Sequence, residues 1–406
     1  MKKNLFIIPA VLLLGILSIL ACDRSVSVKV QEEKHPGVFP DKVILGSSLA
    51  LEGHASYLGT QTIHGALAYI KHINRQGGIH GRKIEIVSYD DSYDPPKCLI
   101  NTQKLIIEDK IFALFCYVGT PTTVKVLPLV EDARIPLLGM FTGADALRKP
   151  FNRYIINIRP SYYQETKEAV RHMVEDLGIT RIAVFYQYDA FGFDGLTGTE
   201  LALKEFDLEP VARGSYTRGS LDVREGVQRI EDSEAQAVFM IGTSGPCIKF
   251  MSQLSKKNLH PVYYTVSFMG AREFARNLGD EQDMVIMSQV VPPFNKDHDL
   301  STSEAASYIE LLKQYYPQDT PNLVGLEGFF NARILIEGLQ RSGRKLTREK
   351  FIKAIESMNK FEIAPGITVS YGKSDHQGMD KVYFTRFKNG GFELIRDWTE
   401  LRGRVN

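Results

Sequence analysis

The sequence predicts an α/β protein of two lobes, each a parallel sheet flanked by helices, with a ligand cleft between them. Three observations lead there. The chain has 406 residues, more than most single hydrophobic cores organise, so two domains are expected. From Asp41 onward, apolar runs of strand length alternate with segments whose apolar residues recur at helical spacing, the rhythm of a parallel sheet covered by helices. That alternation runs twice over similar lengths, and the strand ends carry Gly, Thr, Ser and aromatic residues, where open parallel sheets bind ligands.

The N-terminus stands apart. Lys2 and Lys3 precede an uncharged apolar stretch from Leu5 to Leu20, closed by Ala21 and Cys22. This pattern predicts an export signal over residues 1–22, with an uncleaved signal anchor as the alternative. Cys22, directly after Ala21, resembles the lipidated cysteine of a bacterial lipobox. Residues 23–40 are charged and read as a tether between membrane and folded body. The expected location is the periplasm or the outer face of the cytoplasmic membrane, with a lipid anchor. No later stretch approaches the ~20 apolar residues of a bilayer span.

In the first run, KVILGSSLAL is a buried strand. Ala66, Tyr69, Ile70 and Ile73 mark a helix that Gly77-Gly78 stops. KIEIVSYDD alternates as a strand, and Asp94-Pro95-Pro96 starts a helix, Asp capping and Pro occupying the first turn. IFALFCYVG is a third strand, a helix follows to Glu131-Asp132, and IPLLGMFTG is a fourth strand. The second run opens after YIINIRPSYYQ with the helix TKEAVRHMVEDLG and the strand RIAVFYQYD, then repeats the alternation through MVIMSQVVPP. Three helical segments follow, TSEAASYIELLKQYY, LEGFFNARILIEGLQRSG and TREKFIKAIESMN. Short strands end the chain, with Asn389-Gly390-Gly391 as a hairpin turn.

Several function classes are disfavoured. Forty-nine basic against 48 acidic residues give a formal net charge of +1, without the basic stripe of a nucleic-acid groove. IGTSGP does not fit G-x-S-x-G, and Ser244 has no evident base. The nine His are scattered, without paired metal-ligand spacing. Asp90, Asp91 and Asp94 read as a strand-end cluster with Asp94 as a cap, because the rest of a calcium loop is missing. GTPTT lacks the Lys of a phosphate loop. No catalytic constellation, metal or cofactor is expected. Beyond Cys22, Cys98 and Cys116 are near enough in sequence to pair or to stay buried thiols, and Cys247 reads as core.

The stretch YVGTPTT then suggests binding. Gly119 admits close backbone approach, and Thr120 caps the next helix and offers its N–H and hydroxyl to an anion, aided by the helix dipole. Thr142, in GMFTGAD, adds a second hydroxyl. Either Thr alone reads as a cap; together on adjacent strand ends they suit a carboxylate. Phe141 and Phe191 suit an apolar portion of the ligand.

The segment LALEGHASYLGTQTIHGALAYIKHINRQGGIHGRKIEIVSYDDSYDP, with its GGI-x-G-R-K-I-E, resembles the N-terminal signature of the leucine/isoleucine/valine-binding protein family, and FYQYDAFGFDG resembles that family's first strand and loop of lobe two. The resemblance covers essentially the whole exported chain. It implies the type I periplasmic-binding-protein fold, two lobes joined by three crossovers, and a solute receptor that delivers a small molecule to an ABC permease; a sensor feeding a membrane signalling protein is the alternative. The lobes would be 41–159 with 293–372, and 160–292 with 373–406. The resemblance places carboxylate-holding positions on Thr120 and Thr142 with Met140 beside them, aromatic positions near Tyr57 and on Phe191, and lobe-two positions near Thr243 and Ser267. It also implies an acid for the ligand's ammonium near Ser267, which Ser cannot supply. Glu327 or Asp189 replaces it, or the ligand is not an α-amino acid. Glu327 also reads simply as an acid in the first turn of a helix. The cysteines do not coincide with the family's usual disulfide.

Overall fold

A computed structural model describes residues 35–278, 284–294 and 305–404. The expected export signal, Cys22 and the expected tether up to residue 34 lie outside the described residues. The chain begins with β1 (Lys42–Leu49), α1 (Ser56–Arg75), β2 (Lys83–Asp90), α2 (Pro95–Ile107), β3 (Ala113–Phe115), α3 (Thr120–Asp132), β4 (Leu137–Leu138) and β5 (Ile155–Ile156). These strands form one sheet in the order β2-β1-β3-β4-β5, every pair parallel.

The chain continues with α4 (Tyr162–Arg171), β6 (Ile182–Gln187), α5 (Ala190–Lys204), β7 (Arg213–Tyr216), α6 (Arg224–Glu231), β8 (Ala237–Ile241), α7 (Ser244–Ser255), β9 (Val262–Thr265), α8 (Ala271–Leu278) and β10 (Val285–Gln289). Next come α9 (Ala306–Tyr315), α10 (Leu323–Ser342), α11 (Arg348–Glu356), β11 (Phe361–Ala364) and β12 (Ile367–Val369), then β13 (Tyr383–Lys388) and β14 (Gly391–Leu394). The second sheet runs β14-β13-β10-β9-β8-β6-β7. Five of its strands are parallel, and the β13–β14 hairpin adds antiparallel at one edge. Helices α9 and α10 return to pack on α1. The chain therefore passes between the two lobes after β5, after β10 and after β12.

Local chemistry accounts for the boundaries that position the site. Asp94 caps α2, its carboxylate accepting from Lys97 N at 3.0 Å, and Pro95 follows as the first helical residue. Asn389 and Gly390 both adopt positive φ, 53° and 73°, the two-residue turn that matches strand twist. The fourth strand pairs only at Leu137–Leu138, much shorter than its apolar run predicts. At Gly139 the backbone turns to φ 69° and the Asn331 side chain of α10 donates to its carbonyl at 2.9 Å. Beyond that turn, a parallel bridge joins Val118 to Phe141 and brings the residues after β3 and β4 side by side. Helix α8 and strand β11 extend the sequence expectation; α8 is a short helix whose apolar residues Ala271, Phe274, Ala275 and Leu278 face inward.

Cys98 and Cys116 are buried free thiols, not a disulfide. Cys98 belongs to the core between α2, α3 and the sheet, with Leu105 and Tyr117. Cys116 belongs to the core on the other face, with Phe115 and Leu138, where Asn331 Nδ2 lies 3.7 Å from its sulfur. The sheet separates them. Cys247 is buried in the second lobe's core.

Helices α1 and α10 approach through glycines. A Cβ on Gly65 would overlap the carbonyl of Gly325, and one on Gly328 would overlap that of Thr62. Neither backbone yields cheaply, so Gly65→Ala is expected to destabilise the protein by ~1–3 kcal/mol. Denaturant unfolding of the two proteins checks it, and equal midpoints refute the close packing.

Candidate functional site

The C-terminal ends of the two sheets face each other and are closed on one another. From the first lobe, the Thr120 and Thr142 hydroxyls lie 2.7 Å apart, both buried. The Val118–Phe141 bridge causes this pairing, with Gly119 N donating to Phe141 O at 3.1 Å and Phe141 N to Tyr117 O at 2.7 Å. Thr120 is the first residue of α3 rather than its cap. Gly119 takes the cap position at φ 97°, which frees the Thr120 hydroxyl for Thr142. Pro121 has no N–H, so the first-turn donors belong to Thr120 and Thr122. Gly119 is required for a second reason: a Cβ there would run into the Tyr93 ring.

Aromatic rings from both lobes form a seam beside this pair. Phe268, after β9, lies at its centre, with ring centroids 4.7 Å from Phe191, 5.7 Å from Phe141 and 5.9 Å from Tyr93. Tyr162 stands 5.3 Å from Phe191, and all five rings are buried. The Asp cluster read from the sequence holds Tyr93 in place. Asp91 accepts from Tyr93 N at 2.9 Å and from the Ser48 hydroxyl at 2.8 Å. Among the described residues no group of three or more His, Cys, Asp or Glu is placed to hold a metal ion.

A buried charged cluster closes the other side. Arg159, on the crossover after β5, is 1% exposed, Glu165 on α4 0% and Glu327 on α10 2%. Arg159 Nη2 donates to Glu165 at 2.9 Å and to the Ser267 hydroxyl. Its Nη1 faces both Glu327 oxygens at 3.4 Å. Glu165 also accepts from Ser267 N at 2.8 Å, the Ser267 hydroxyl at 3.0 Å and the Ser288 hydroxyl at 2.5 Å. The guanidinium lies 5.2 Å from the Phe141 ring and 5.6 Å from Tyr162. Burial pushes the Glu327 carboxyl up to about 7; Arg159 pulls it down and Glu165 pushes it further up. Burial alone lowers the pKa of Arg159, but Glu327 and Glu165 more than offset it, so the guanidinium stays charged.

The remaining predicted residues divide. Ser267 sits in the charged cluster, and the acid beside it is Glu165, which sequence reading missed. Glu327 is not in the first turn of its helix: α10 begins at Leu323 behind Asn322, whose side chain accepts from Gly325 N at 2.9 Å. Asp189 is already engaged. It caps α5 through Phe191 N at 3.0 Å, accepts from Gln187 at 2.7 Å and lies 3.6 Å from Arg218. Thr243 reaches the seam indirectly, through Tyr216, Gln187 and then Tyr93. Tyr57 lies beside Gly270, outside the ring seam, with its hydroxyl buried. The Met140 side chain packs with Leu137 and Leu147 in the α2–α3 core, on the opposite side of the sheet from Phe141. Arg159, Glu165, Tyr93, Tyr162 and Phe268 were not singled out. Two signals were present: Arg159 ends the buried run IINI, and Ser161 with Gln164 forms a capping box that sets Glu165 one residue further on.

Comparison with known proteins agrees with this architecture. A family model described as periplasmic binding protein matches residues 42–391. The Leu/Ile/Val-binding protein of Escherichia coli is 22% identical over 345 residues, covering 84% of this chain and 90% of that one. An amino acid binding protein of Pseudomonas aeruginosa is 23% identical over 214 residues, 52% of this chain and only 57% of its own length. A solved structure titled as a possible leucine/isoleucine/valine-binding protein from Rhodopirellula baltica aligns with a TM-score of 0.83 at 30% identity, over 89% of this chain and 98% of that one.

Because the folded Glu327 carboxyl titrates near 7 and an unfolded one near 4.3, the folded state binds the extra proton between those values. Its contribution to stability therefore falls as pH rises through that window. Glu327→Gln removes the effect. The stability of the variant relative to the natural protein is expected to rise by roughly 1–3 kcal/mol from pH 5 to pH 8, read by urea unfolding. A pH-independent difference refutes the assignment.

Proposed function

The chain belongs to the periplasmic binding protein family, and from that premise we propose that it is an exported receptor that closes on a small carboxylate-bearing molecule, an amino acid or related acid, and delivers it to the permease of an ABC importer. Proteins of this family bind solutes and are not enzymes. The observation that carries the ligand reading is the Thr120–Thr142 pair, two buried hydroxyls 2.7 Å apart at the N-terminus of a 13-residue helix. Hydroxyl donors, unpaired first-turn N–H groups and the positive end of the helix dipole together favour an anion. The ring seam excludes water, which strengthens those contacts. Closure reports occupancy to a permease only insofar as the ligand prefers the closed state, and a ligand touching both lobes does so.

Export and anchoring complete the proposal. They rest on the basic start, the apolar stretch Leu5 to Leu20 and Cys22, a pattern suited to a signal segment followed by a lipid-modified cysteine.

Thermal unfolding against amino acids, carboxylic acids, amides and polyamines tests the ligand class. A ligand at ~100 times its Kd is expected to add about 2.7 kcal/mol. Stabilisation by polyamines or amides alone refutes the carboxylate reading. Thr142→Val is expected to weaken binding of any acid found by ~1–3 kcal/mol, and unchanged affinity removes Thr142 from the site. Cys22→Ser is expected to abolish incorporation of labelled palmitate and release the protein from membranes. Continued labelling refutes Cys22 as the anchor.

A further inference from the structure

The hydrogen-bond balance of the cleft bears on the ligand's charge. On the acceptor side, Glu165, Glu327 and Asp189 already hold donors, while Asp194 on α5 takes Asp145 N and keeps its second oxygen unpaired. Glu165 takes four, from Arg159, Ser267 N, the Ser267 hydroxyl and the Ser288 hydroxyl, about the capacity of a carboxylate. Both Glu327 oxygens face Arg159 Nη1. Asp189 holds Gln187, Phe191 N and Arg218. On the donor side, Arg159 Nε is buried with no hydrogen-bond partner, and the Tyr162 hydroxyl lies beside it, turned to Thr142. Both belong to the wall that carries Thr142. The guanidinium lies over the rings of Phe141 and Tyr162, and Tyr162 N donates to Gly143 O at 2.7 Å.

A buried donor left without a partner is costly, and a ligand that brings acceptors relieves it. An ammonium does the reverse. It adds three donors where the acceptors of Glu165, Glu327 and Asp189 are taken, and sets a positive charge beside a guanidinium.

We propose that Arg159 is a specificity-determining residue that occupies the place of a ligand's ammonium, so that the receptor takes a small carboxylic acid carrying no α-ammonium group. This rests on the carboxylate reading of Thr120 and Thr142 and narrows it. Arg159 engages both acids in the cluster, Glu165 and Glu327, so the residues that an ammonium needs are held by the chain's own cation. The burial that keeps Glu327 near neutrality acts in the same direction, because a protonated Glu327 leaves the guanidinium balanced by Glu165 alone and open to a further anion.

The test is isothermal titration of the full chain with compounds matched except at the 2-position. 4-Methylpentanoate is compared with leucine and 3-phenylpropanoate with phenylalanine, each beside its carboxamide and a homologous series of acids. The acid is expected to bind at least tenfold more tightly than its 2-amino counterpart, and the carboxamide not at all. An amino acid that binds as tightly as its acid overturns the proposal and leaves the carboxylate reading standing. Carboxamides binding as well as acids, or failure of every acid in the series, overturn that reading and the proposal with it. Arg159→Lys keeps a cation between the acids and deletes Nε–H; it is expected to weaken the acid tenfold or more, and unchanged affinity counts against Arg159. Should that variant not fold, Glu327→Gln decides. Removing the carboxylate that competes for the guanidinium is expected to tighten the acid several-fold, and a loss of binding overturns the proposal.

Discussion

A guanidinium buried between two carboxylates is the constraint on which the rest of this cleft depends. Arg159 comes from a crossover, Glu165 from α4 of the second lobe and Glu327 from α10 of the first. Taking these charges out of water is expensive, and removing the arginine leaves uncompensated carboxylates at a cost of roughly 3–5 kcal/mol. The three segments must therefore meet whenever the cleft is shut. The contacts are unequal. Arg159 is 2.9 Å from Glu165, which also gathers Ser267 and Ser288, but 3.4 Å from Glu327. The arginine is consequently held more tightly by the second lobe and reaches across to the first.

The fold supplies that geometry by turning strand ends sharply. Strand β4 pairs over two residues because Gly139 turns the chain under Asn331, and the Val118–Phe141 bridge then aligns two loops closely enough for their threonines to touch. Tyr93, held by Asp91 at φ 61°, fills the space that Gly119 leaves. Helices α1 and α10 lie close enough at Gly65 and Gly328 to exclude a methyl group, which sets the helix carrying Glu327 firmly on the first lobe. The site is thus held by backbone proximity on one side and by ion pairing on the other.

What was legible in the sequence was local. The strand–helix alternation, the Asp94 cap, the Asn389-Gly390 turn and the Thr120–Thr142 pair all follow from residues near one another or from strand-end chemistry. Arg159 and Glu165 are six residues apart, but the partners that make them a cluster were not legible because they are remote: Glu327 is 168 residues from Arg159, and Ser267 is 102 from Glu165. Periodicity records which face of an element is buried, not what it meets. Glu327 was misplaced within its helix because Asn322, a good cap, was passed over. Met140 was assigned to the cleft with its neighbours, although adjacent residues at a strand end point to opposite faces.

The seam and the charged cluster pull against each other, and a receptor of this kind needs both. Ring pairs such as Phe191–Phe268 and Phe141–Phe268 each favour closure by ~0.5–1.5 kcal/mol beyond the area they bury, whether or not a ligand is present. Left alone they would hold the empty protein shut, and a closed state already dominant cannot signal occupancy. Burying Glu327 opposes them, because shutting the cleft strips its carboxyl of water and offers only a 3.4 Å contact with a guanidinium already engaged elsewhere. On the proposed binding mode, the balance leaves closure to be decided by what binds between Thr142 and Arg159. Rings therefore favour the meeting of the lobes, and in the proposed mode the polar wall selects the molecule for which they stay together.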